Sequence, residues 1–240
     1  MDIHRELRVV EMTLGIVMLT YTPSIDNPRH EYAMRTMGSL KKNIIYNGDI
    51  RWHVADDGSP PEHFQGLNAP EGTTLTNSNR KGYGANYNLA TQALHEICDY
   101  MLMVEDDWEL TKPLELDPLV EALKNSEIDC IRLGYLGWTQ ELRGRIMSAA
   151  NQTFLYLSPD SPEPHVWSGH PRLETVGFQR RVGPWPEGLD PGSTEFQVAK
   201  RFESRVGIVW PLDLGIRAGQ IQGTLFAHIG QYQAREDQHE

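Results

Sequence analysis

Apolar runs and amphipathic segments alternate along the first half of the chain. Residues 14–20 form a continuous apolar run, which is typical of a parallel strand buried on both faces. Asn27 and Pro28 predict the start of a helix, in which apolar side chains recur at helical spacing at Ala33, Met34, Met37, Leu40 and Ile44. Further strands are predicted at 50–55, 73–76 and 101–104, and the helix before the last of them carries Leu89, Ala93, Leu94 and Ile97 on one face. This alternation predicts an α/β fold with a doubly wound, mostly parallel central sheet.

The second half of the chain has a looser pattern. Helices are predicted from Asp117 and from near Ser193, and residues 159–171 have no regular pattern. Short strands are predicted at 128–134, 153–157, 206–212 and 224–229. Because no linker or internal repeat separates the halves, we expect one domain over residues 1–240, divided into a regular half (about 12–110), an irregular half (about 111–230) and a polar tail (231–240).

Composition narrows the class of protein. The 240 residues carry a formal net charge of -11, which argues against a polyanion held by the whole surface. A local basic group in the second half still admits DNA as a partner: Arg172, Arg180, Arg181, Lys200, Arg201 and Arg205. No apolar run is long enough to span a bilayer, and the amino terminus lacks the apolar core of a signal peptide, so we expect a cytoplasmic protein. Cys98 and Cys130 stand outside any metal-binding spacing and are expected to be buried, reduced thiols.

Three consecutive carboxylates follow the apolar strand 101–104. Glu105, Asp106 and Asp107 cannot stay inside an apolar sheet, so they should emerge at its carboxyl edge, where open α/β sheets bind ligands. Oxygen donors suit a hard cation such as Mg²⁺ or Mn²⁺. A solvated acidic turn is the alternative, but three adjacent like charges are costly without a counter-ion. The triplet therefore predicts a divalent metal that holds phosphates.

Other polar groups follow the strands of the same half and should converge with the triplet at that edge. They are Thr20 and Tyr21, Asp56 and Asp57, and the segment 79–88. Asp57 is placed to accept hydrogen bonds from a base or ribose, although Asp57 taken alone is better explained as a turn aspartate that bonds its own loop amides. The sequence Asn79-Arg80-Lys81-Gly82-Tyr83-Gly84-Ala85-Asn86 offers glycines for close backbone approach and a cation for a diphosphate, but it is not a P-loop.

In this order, the motifs resemble the nucleotide-binding half of GT-A glycosyltransferases, particularly the family 2-like enzymes. The resemblance covers roughly residues 14–110 and rests on Thr-Tyr, Asp-Asp-Gly-Ser, the Gly/Asn loop and hydrophobic-Glu-Asp-Asp. It implies a Rossmann-like GT-A fold in which the acidic triplet is the DXD motif and Asp107 holds the metal. The nucleotide-sugar-binding residues that it implies are Thr20, Tyr21, Asp57, Asn79, Arg80, Lys81, Gly82, Asn86, Glu105 and Asp106.

The irregular half adds fainter similarities to the same family. Gly177-Phe178-Gln179-Arg180-Arg181 followed by Thr194-Glu195-Phe196 is similar to the acceptor-side region, which implies Glu195 as the catalytic base. An acid in the first turn of a helix also stabilises the helix dipole, so the two interpretations stay open. The resemblance likewise implies His228 as a metal ligand, with a structural strand histidine as the alternative. Aromatic residues that are expected to face the acceptor, or else to pack in the core, are Trp167, His170 and Trp185.

Together these features predict a metal-dependent glycosyltransferase that moves a sugar from a nucleotide-diphosphate sugar to an acceptor hydroxyl with inversion, using Mn²⁺ or Mg²⁺. A sugar-1-phosphate nucleotidyltransferase is an alternative, but it would carry a basic, Gly-rich loop after the first strand, where this chain has Thr20-Tyr21-Thr22-Pro23. A non-catalytic carbohydrate- or protein-binding module is the second alternative. The acceptor stays open: protein, glycan, lipid-linked sugar, small metabolite or modified DNA base.

Overall fold

A computed structural model describes residues 12–134, 143–158, 168–201, 207–212 and 225–230. The strands, in chain order, are β1 (Thr13–Thr20), β2 (Ile44–Ile45), β3 (Asp49–Asp56), β4 (Thr74–Asn77), β5 (Tyr100–Glu105), β6 (Trp108–Leu110), β7 (Leu114–Glu115), β8 (Cys130–Arg132), β9 (Gly144–Ala149), β10 (Gln152–Leu157), β11 (Arg172–Thr175), β12 (Ile208–Pro211) and β13 (Phe226–His228). The helices are α1 (Pro28–Asn43), α2 (Pro61–Gly66), α3 (Tyr83–Leu94), α4 (Asp117–Leu123), α5 (Val176–Val182) and α6 (Pro191–Ala199).

The predicted doubly wound α/β sheet is confirmed. Its strand order is β4-β3-β1-β5-β11-β8-β12-β10-β9, and β4, β3, β1 and β5 are parallel neighbours. The strand β11 runs antiparallel to β5 and β8, and β10 runs antiparallel to β12 and β9. Since β12 is parallel to β8, seven of the nine strands in the described sheet run in one direction. The parallel first half therefore places the carboxyl ends of β1, β3 and β5 side by side.

The central strands β1 and β5 are buried on both faces, as the continuous apolar runs predicted. Alternate side chains go to opposite cores, because side chains in a strand point to opposite faces. Leu14, Ile16 and Leu102 pack in one core, whereas Val17 and Met103 pack in the other. Thr20 and Glu105 lie at the carboxyl ends of these two strands.

Helix α1 begins where Asn27 and Pro28 predicted. The Asn27 side chain accepts a hydrogen bond from the Arg29 amide, and Pro28 occupies the first helical position. The buried face of α3 differs from the expected one: it consists of Gly84, Ala85, Asn86, Tyr87, Ala90, Thr91 and Leu94. Ala93 is exposed, and Ile97 lies beyond the helix end and is 54% exposed. The error arose because the small and polar residues that pack against the sheet carry no apolar signal.

The irregular half contains elements that its pattern did not predict. The strand β9 forms a hairpin with β10 through Ala150 and Asn151, both at positive φ. The strand β11 and the helix α5 were also missed, and residues 159–167 of the expected irregular segment lie outside the described residues. The two late strands were predicted in the right places, as β12 and β13.

Both cysteines are buried and free, as predicted. Burial raises the pKa of the Cys98 thiol to about 11, which keeps it protonated and unreactive at neutral pH. Among the described residues, none of the helices is long and apolar enough to cross a membrane.

Candidate active site

A cavity of about 370 Å³ opens at the carboxyl edge of β1, β3 and β5. This is the position at which open α/β sheets bind ligands. Residues from both halves of the chain line it: Leu19, Thr20, Tyr21, Arg29, Asp57, Tyr83, Asn86, Glu105, Asp106, Asp107, Pro191 and His228. Eight of the residues predicted from the sequence are therefore in one cavity: Thr20, Tyr21, Asp57, Asn86, Glu105, Asp106, Asp107 and His228.

Asp106 is bonded on both carboxylate oxygens. Its Oδ2 accepts hydrogen bonds from the Thr20 hydroxyl (2.8 Å) and the Tyr21 amide (3.0 Å), and its Oδ1 pairs with Arg29 Nη2 (3.1 Å). Burial, reinforced by Asp107 and opposed by Arg29, raises the pKa of Asp106 to about 7. The side chain is only 2% exposed. These contacts join the end of β1 to the end of β5, so the geometry favours a structural function over the direct ligand contact that we expected of Thr20 and Asp106.

The Thr20 hydroxyl extends this network to two histidines. Because Thr20 gives its proton to Asp106, it accepts from His63 Nε2 (2.8 Å), and His63 Nδ1 then accepts from His30 Nδ1 (2.8 Å). Burial lowers the pKa of His63 to about 4, with a smaller lowering by His30, so its ring is neutral. No sequence motif pointed to these two histidines, because they lie 33 residues apart and neither belongs to a recognisable pattern.

Asp107 lies beside His228, 121 residues further along the chain. The strand β13 runs antiparallel to β6 with His228 opposite Trp108, and this register brings His228 Nε2 to 3.1 Å from Asp107 Oδ2. The amide of Ile229 donates to the Asp107 carbonyl (2.8 Å). A Cβ on Gly230 would lie 2.5 Å from Asp107 Oδ2, so the carboxylate needs a glycine there.

The same pair fits a divalent cation. Asp107 Oδ1 and His228 Nδ1 are buried, and neither has a hydrogen-bond partner among the described residues. Within the part of the chain that the structure describes, no group of three or more His, Cys, Asp or Glu is arranged to hold a metal. The chain would therefore supply one or two ligands and leave the rest to phosphate oxygens and water, which is the usual pattern for Mg²⁺ at phosphate sites.

Trp108 is an unpredicted part of the site. It is fully buried, and its ring lies between those of His170 (centroids 5.0 Å apart) and His228 (4.8 Å). The packed indole limits the rotamers that the His228 imidazole can adopt, and in this way it fixes the orientation of His228. A tryptophan directly after the acidic triplet is the only sequence signal that pointed to it.

Asp57 joins the end of β3 to the Asn/Gly loop. Its Oδ1 accepts from the Ser78 hydroxyl and from the Gly82 amide (3.1 Å), and its carbonyl accepts from the Arg80 amide (3.1 Å). Asp57 also lines the cavity. Gly82 caps α3 at φ 90°, a conformation that favours glycine.

The loop also carries an exposed cation. The Arg80 guanidinium lies 4.1 Å from the centroid of the Tyr21 ring, which lines the cavity. Asn79 and Lys81 are exposed residues of the same loop. Asn86, by contrast, is 4% exposed: its Nδ2 donates to the Ala55 carbonyl (2.8 Å), while its Oδ1 has no hydrogen-bond partner among the described residues. A buried, unpaired carbonyl on the cavity wall is costly, and a ligand donor would satisfy it.

The carboxylates of Glu105 and Glu195 both approach Gly169, since a Cβ there would lie 2.6 Å from Glu105 Oε1 and 2.5 Å from Glu195 Oε1. The Tyr83 hydroxyl donates to Glu105 Oε1 (2.7 Å), and the Gly169 amide donates to Glu195 Oε1. Burial raises the pKa of Glu105 well above its usual range, and the carboxylates of Asp107 and Glu195 add to the effect. Glu195 lies in the first turns of α6. The Asp190 side chain caps this helix by accepting a hydrogen bond from the Ser193 amide (2.9 Å), so the amino end of the helix is stabilised without Glu195.

The aromatic residues expected on the acceptor side have different positions. His170 is partly buried against Trp108, near the cavity. Trp185 is only 2% exposed: its ring stacks on Tyr87 with the centroids 3.6 Å apart. These contacts favour core packing, the alternative given for Trp185, over a position that faces the acceptor. Trp167 lies outside the described residues.

The sequence matches no protein-family model and none of the curated proteins. Solved structures do match the fold. A crystal structure of GalNAc-T7 with UDP, GalNAc and Mn²⁺ is 14% identical, with a TM-score of 0.57 over 85% of this chain and 43% of that one. Two crystal structures of S. aureus TarS are 15% and 16% identical, with TM-scores of 0.60 and 0.56 over 83% of this chain.

The chain has the GT-A fold that the sequence motifs implied, with the large sheet, the flanking helices and the edge cavity in place. It spans 58% of the 1–349 TarS structure and 35% of the longer one. At these identities the likeness concerns the fold, and function has to be argued from the site itself.

Proposed function

We propose that the protein is a metal-dependent glycosyltransferase that uses a nucleotide-diphosphate sugar as donor and an acceptor hydroxyl as nucleophile. One observation carries this proposal: Asp107 and His228, with buried unpaired atoms, share a cavity with Asp57, Asn86 and Glu105. The GalNAc-T7 structure, which contains UDP and Mn²⁺, supports the same donor class.

Different residues of the chain contact different parts of the nucleotide-sugar donor. Asp57 accepts a hydrogen bond from the base or ribose of the nucleotide sugar. Asn86 Oδ1 accepts a second hydrogen bond from the same ligand. Tyr21 offers a ring face for the base, and Arg80, stacked on that ring, is placed to pair with a phosphate oxygen. Asp107, with His228, would hold Mn²⁺ or Mg²⁺, which would neutralise the developing charge on the departing diphosphate.

Glu195 serves as the base in this proposal. As the acceptor oxygen bonds to the anomeric carbon, its proton passes to Glu195, and the bond from that carbon to the diphosphate oxygen breaks with its electron pair. A single displacement of this kind inverts the anomeric configuration. The Gly169 amide donates a hydrogen bond to Glu195 Oε1, which holds this oxygen in place.

A thermal-shift screen of UDP-, GDP- and dTDP-sugars, each with and without Mn²⁺, tests the donor class, because a ligand that binds only the folded state raises the midpoint. We expect a nucleotide sugar to raise it only when Mn²⁺ is present. Asp107→Asn should abolish the Mn²⁺-dependent shift, and Asp49→Ala, an exposed aspartate at the opposite end of β3, is the matched control. A shift in Asp107→Asn equal to that of the parent would refute the metal assignment.

A further inference from the structure

Two buried arginines donate hydrogen bonds to the segment Ser168–Pro171. Arg172 Nη1 donates to the carbonyls of Ser168 (3.3 Å) and His170 (3.4 Å), and Arg132 Nη2 donates to the Ser168 hydroxyl (3.3 Å). The two arginines are 1% and 2% exposed. Arg172 is paired in turn with the buried Glu174 (3.1 Å). Buried, hydrogen-bonded charges of this kind restrain the segment, because breaking a contact leaves a buried acceptor of the segment unsatisfied.

Gly169 is the residue of this segment that contacts Glu195. Its amide donates to Glu195 Oε1. A Cβ at this position would lie within 2.6 Å of three oxygen atoms: Tyr83 Oη, Glu195 Oε1 and Glu105 Oε1. These oxygens come from the start of α3, from α6 and from the end of β5. Three separate elements therefore converge on a point that only a glycine leaves open.

We propose that Gly169 is a positioning residue for the reaction: its amide and its missing side chain together set the place of the Glu195 carboxylate. This inference rests on the proposed function, in which Glu195 is the base. Nothing in the sequence pattern of Ser168-Gly169-His170-Pro171 distinguished this glycine from an ordinary loop glycine.

The arrangement has a physical reason. The carboxylates of Glu105 and Glu195 converge on residue 169, and each accepts a hydrogen bond from a nearby donor. Tyr83 supplies that donor to Glu105, and Gly169 supplies it to Glu195. A methyl group at residue 169 would overlap all three oxygens and push Glu195 away from the acceptor side of the cavity.

The test is the Gly169→Ala variant, measured by nucleotide release from UDP-, GDP- and dTDP-hexoses with Mn²⁺ and by crystal structures of the parent and the variant. We expect Glu195 to be displaced and kcat to fall about 10²-fold, since a misplacement of about 1 Å can cost that much. The donor KM and the Mn²⁺-dependent thermal shift should stay near the parent values. Gly38→Ala is the control, because a Cβ there meets nothing within 4 Å.

The same substitution is repeated in a Tyr83→Phe background, in which loss of the hydroxyl gives the methyl group room and guards against a variant that does not fold. A further fall in kcat on adding Gly169→Ala to Tyr83→Phe supports the proposal. An unmoved Glu195, or a parent-like kcat in Gly169→Ala, overturns it. Glu195→Gln is measured alongside: loss of turnover in that variant alone refutes the positioning residue, whereas parent-like turnover in Glu195→Gln refutes the base of the proposed function.

Discussion

Two neighbouring carboxylates belong to regions of opposite character. In the Asp106 network (Thr20, Arg29, His63 and Asp106), each carboxylate oxygen of Asp106 has protein partners. In the Asp107–His228 pair, one atom of each side chain is buried and unpaired within the described residues. A fully bonded buried carboxylate stabilises the fold, whereas an unpaired one is a cost that a ligand removes. Hydrogen-bond satisfaction therefore separates structure from function within a single turn.

The largest expected effect comes from Asp107→Asn. We expect nucleotide-sugar turnover to fall at least about 10³-fold, which corresponds to about 4 kcal/mol of transition-state stabilisation. Without ligand, the variant should be more stable than the parent, because the Asp107 charge raises the pKa of both Glu105 and Asp106 by repulsion. Steady-state kinetics measure the expected loss of turnover, and urea unfolding measures the expected gain in stability. A loss of both stability and activity would show that Asp107, like Asp106, stabilises the fold.

Asp106→Ala should give the reverse result. Removing this carboxylate breaks the ion pair with Arg29 and takes away the acceptor of the Thr20 hydroxyl and the Tyr21 amide, and we expect a loss of about 2–3 kcal/mol in the free energy of unfolding, reduced by the 35% exposure of Arg29. Urea unfolding at constant m value is the measurement. The Mn²⁺-dependent thermal shift should persist in the variant. Its disappearance from a folded Asp106→Ala protein would show that Asp106 holds the ligand.

The pH dependence of stability tests whether the Asp106 network holds His63 in its neutral form. The folded pKa of His63 is lowered to about 4, below the 6.5 of the unfolded chain, so the unfolded state binds more protons between these values. The contribution of neutral His63 is therefore present above about pH 6.5 and is lost as the pH falls through about 4. Comparing the parent with His63→Gln cancels the titration of Asp106. The difference in unfolding free energy should shrink by about 2–3 kcal/mol from pH 7 to 4. A constant difference would mean that His63 is not held neutral.

The smallest effect is expected for Arg80→Ala. Arg80 is exposed and contacts the Tyr21 ring, so its loss should weaken nucleotide binding about fivefold, or about 1 kcal/mol, and leave the unfolding free energy unchanged. Calorimetric titration of UDP with Mn²⁺ measures the affinity. Lys81→Ala, from the same exposed loop, is the comparison variant. Equal effects of the two would indicate a general electrostatic contribution, and an effect confined to Lys81→Ala would reassign the diphosphate contact.

Sequence patterns predicted the parallel half well because its signals are local. The apolar runs of β1 and β5 and the Asn27-Pro28 start of α1 each lie within a few residues, and burial of a strand on both faces has one simple pattern. The second half was predicted less well. The strand β11 carries two buried charges, Arg172 and Glu174, which stay in the core only because they pair with each other. A pairing that depends on tertiary contacts leaves no periodic signal.

The sequence by itself determined the sheet, the edge at which polar residues gather and the presence of a carboxylate triplet there. The structure decided which carboxylate is committed to the fold, which one is left with an unpaired oxygen, and that His228 lies beside Asp107. It also placed Trp185 in the core and Gly169 among three oxygens. The physical reason is that hydrophobic periodicity records burial along one element, whereas hydrogen-bond satisfaction and close approach are properties of residues far apart in the chain.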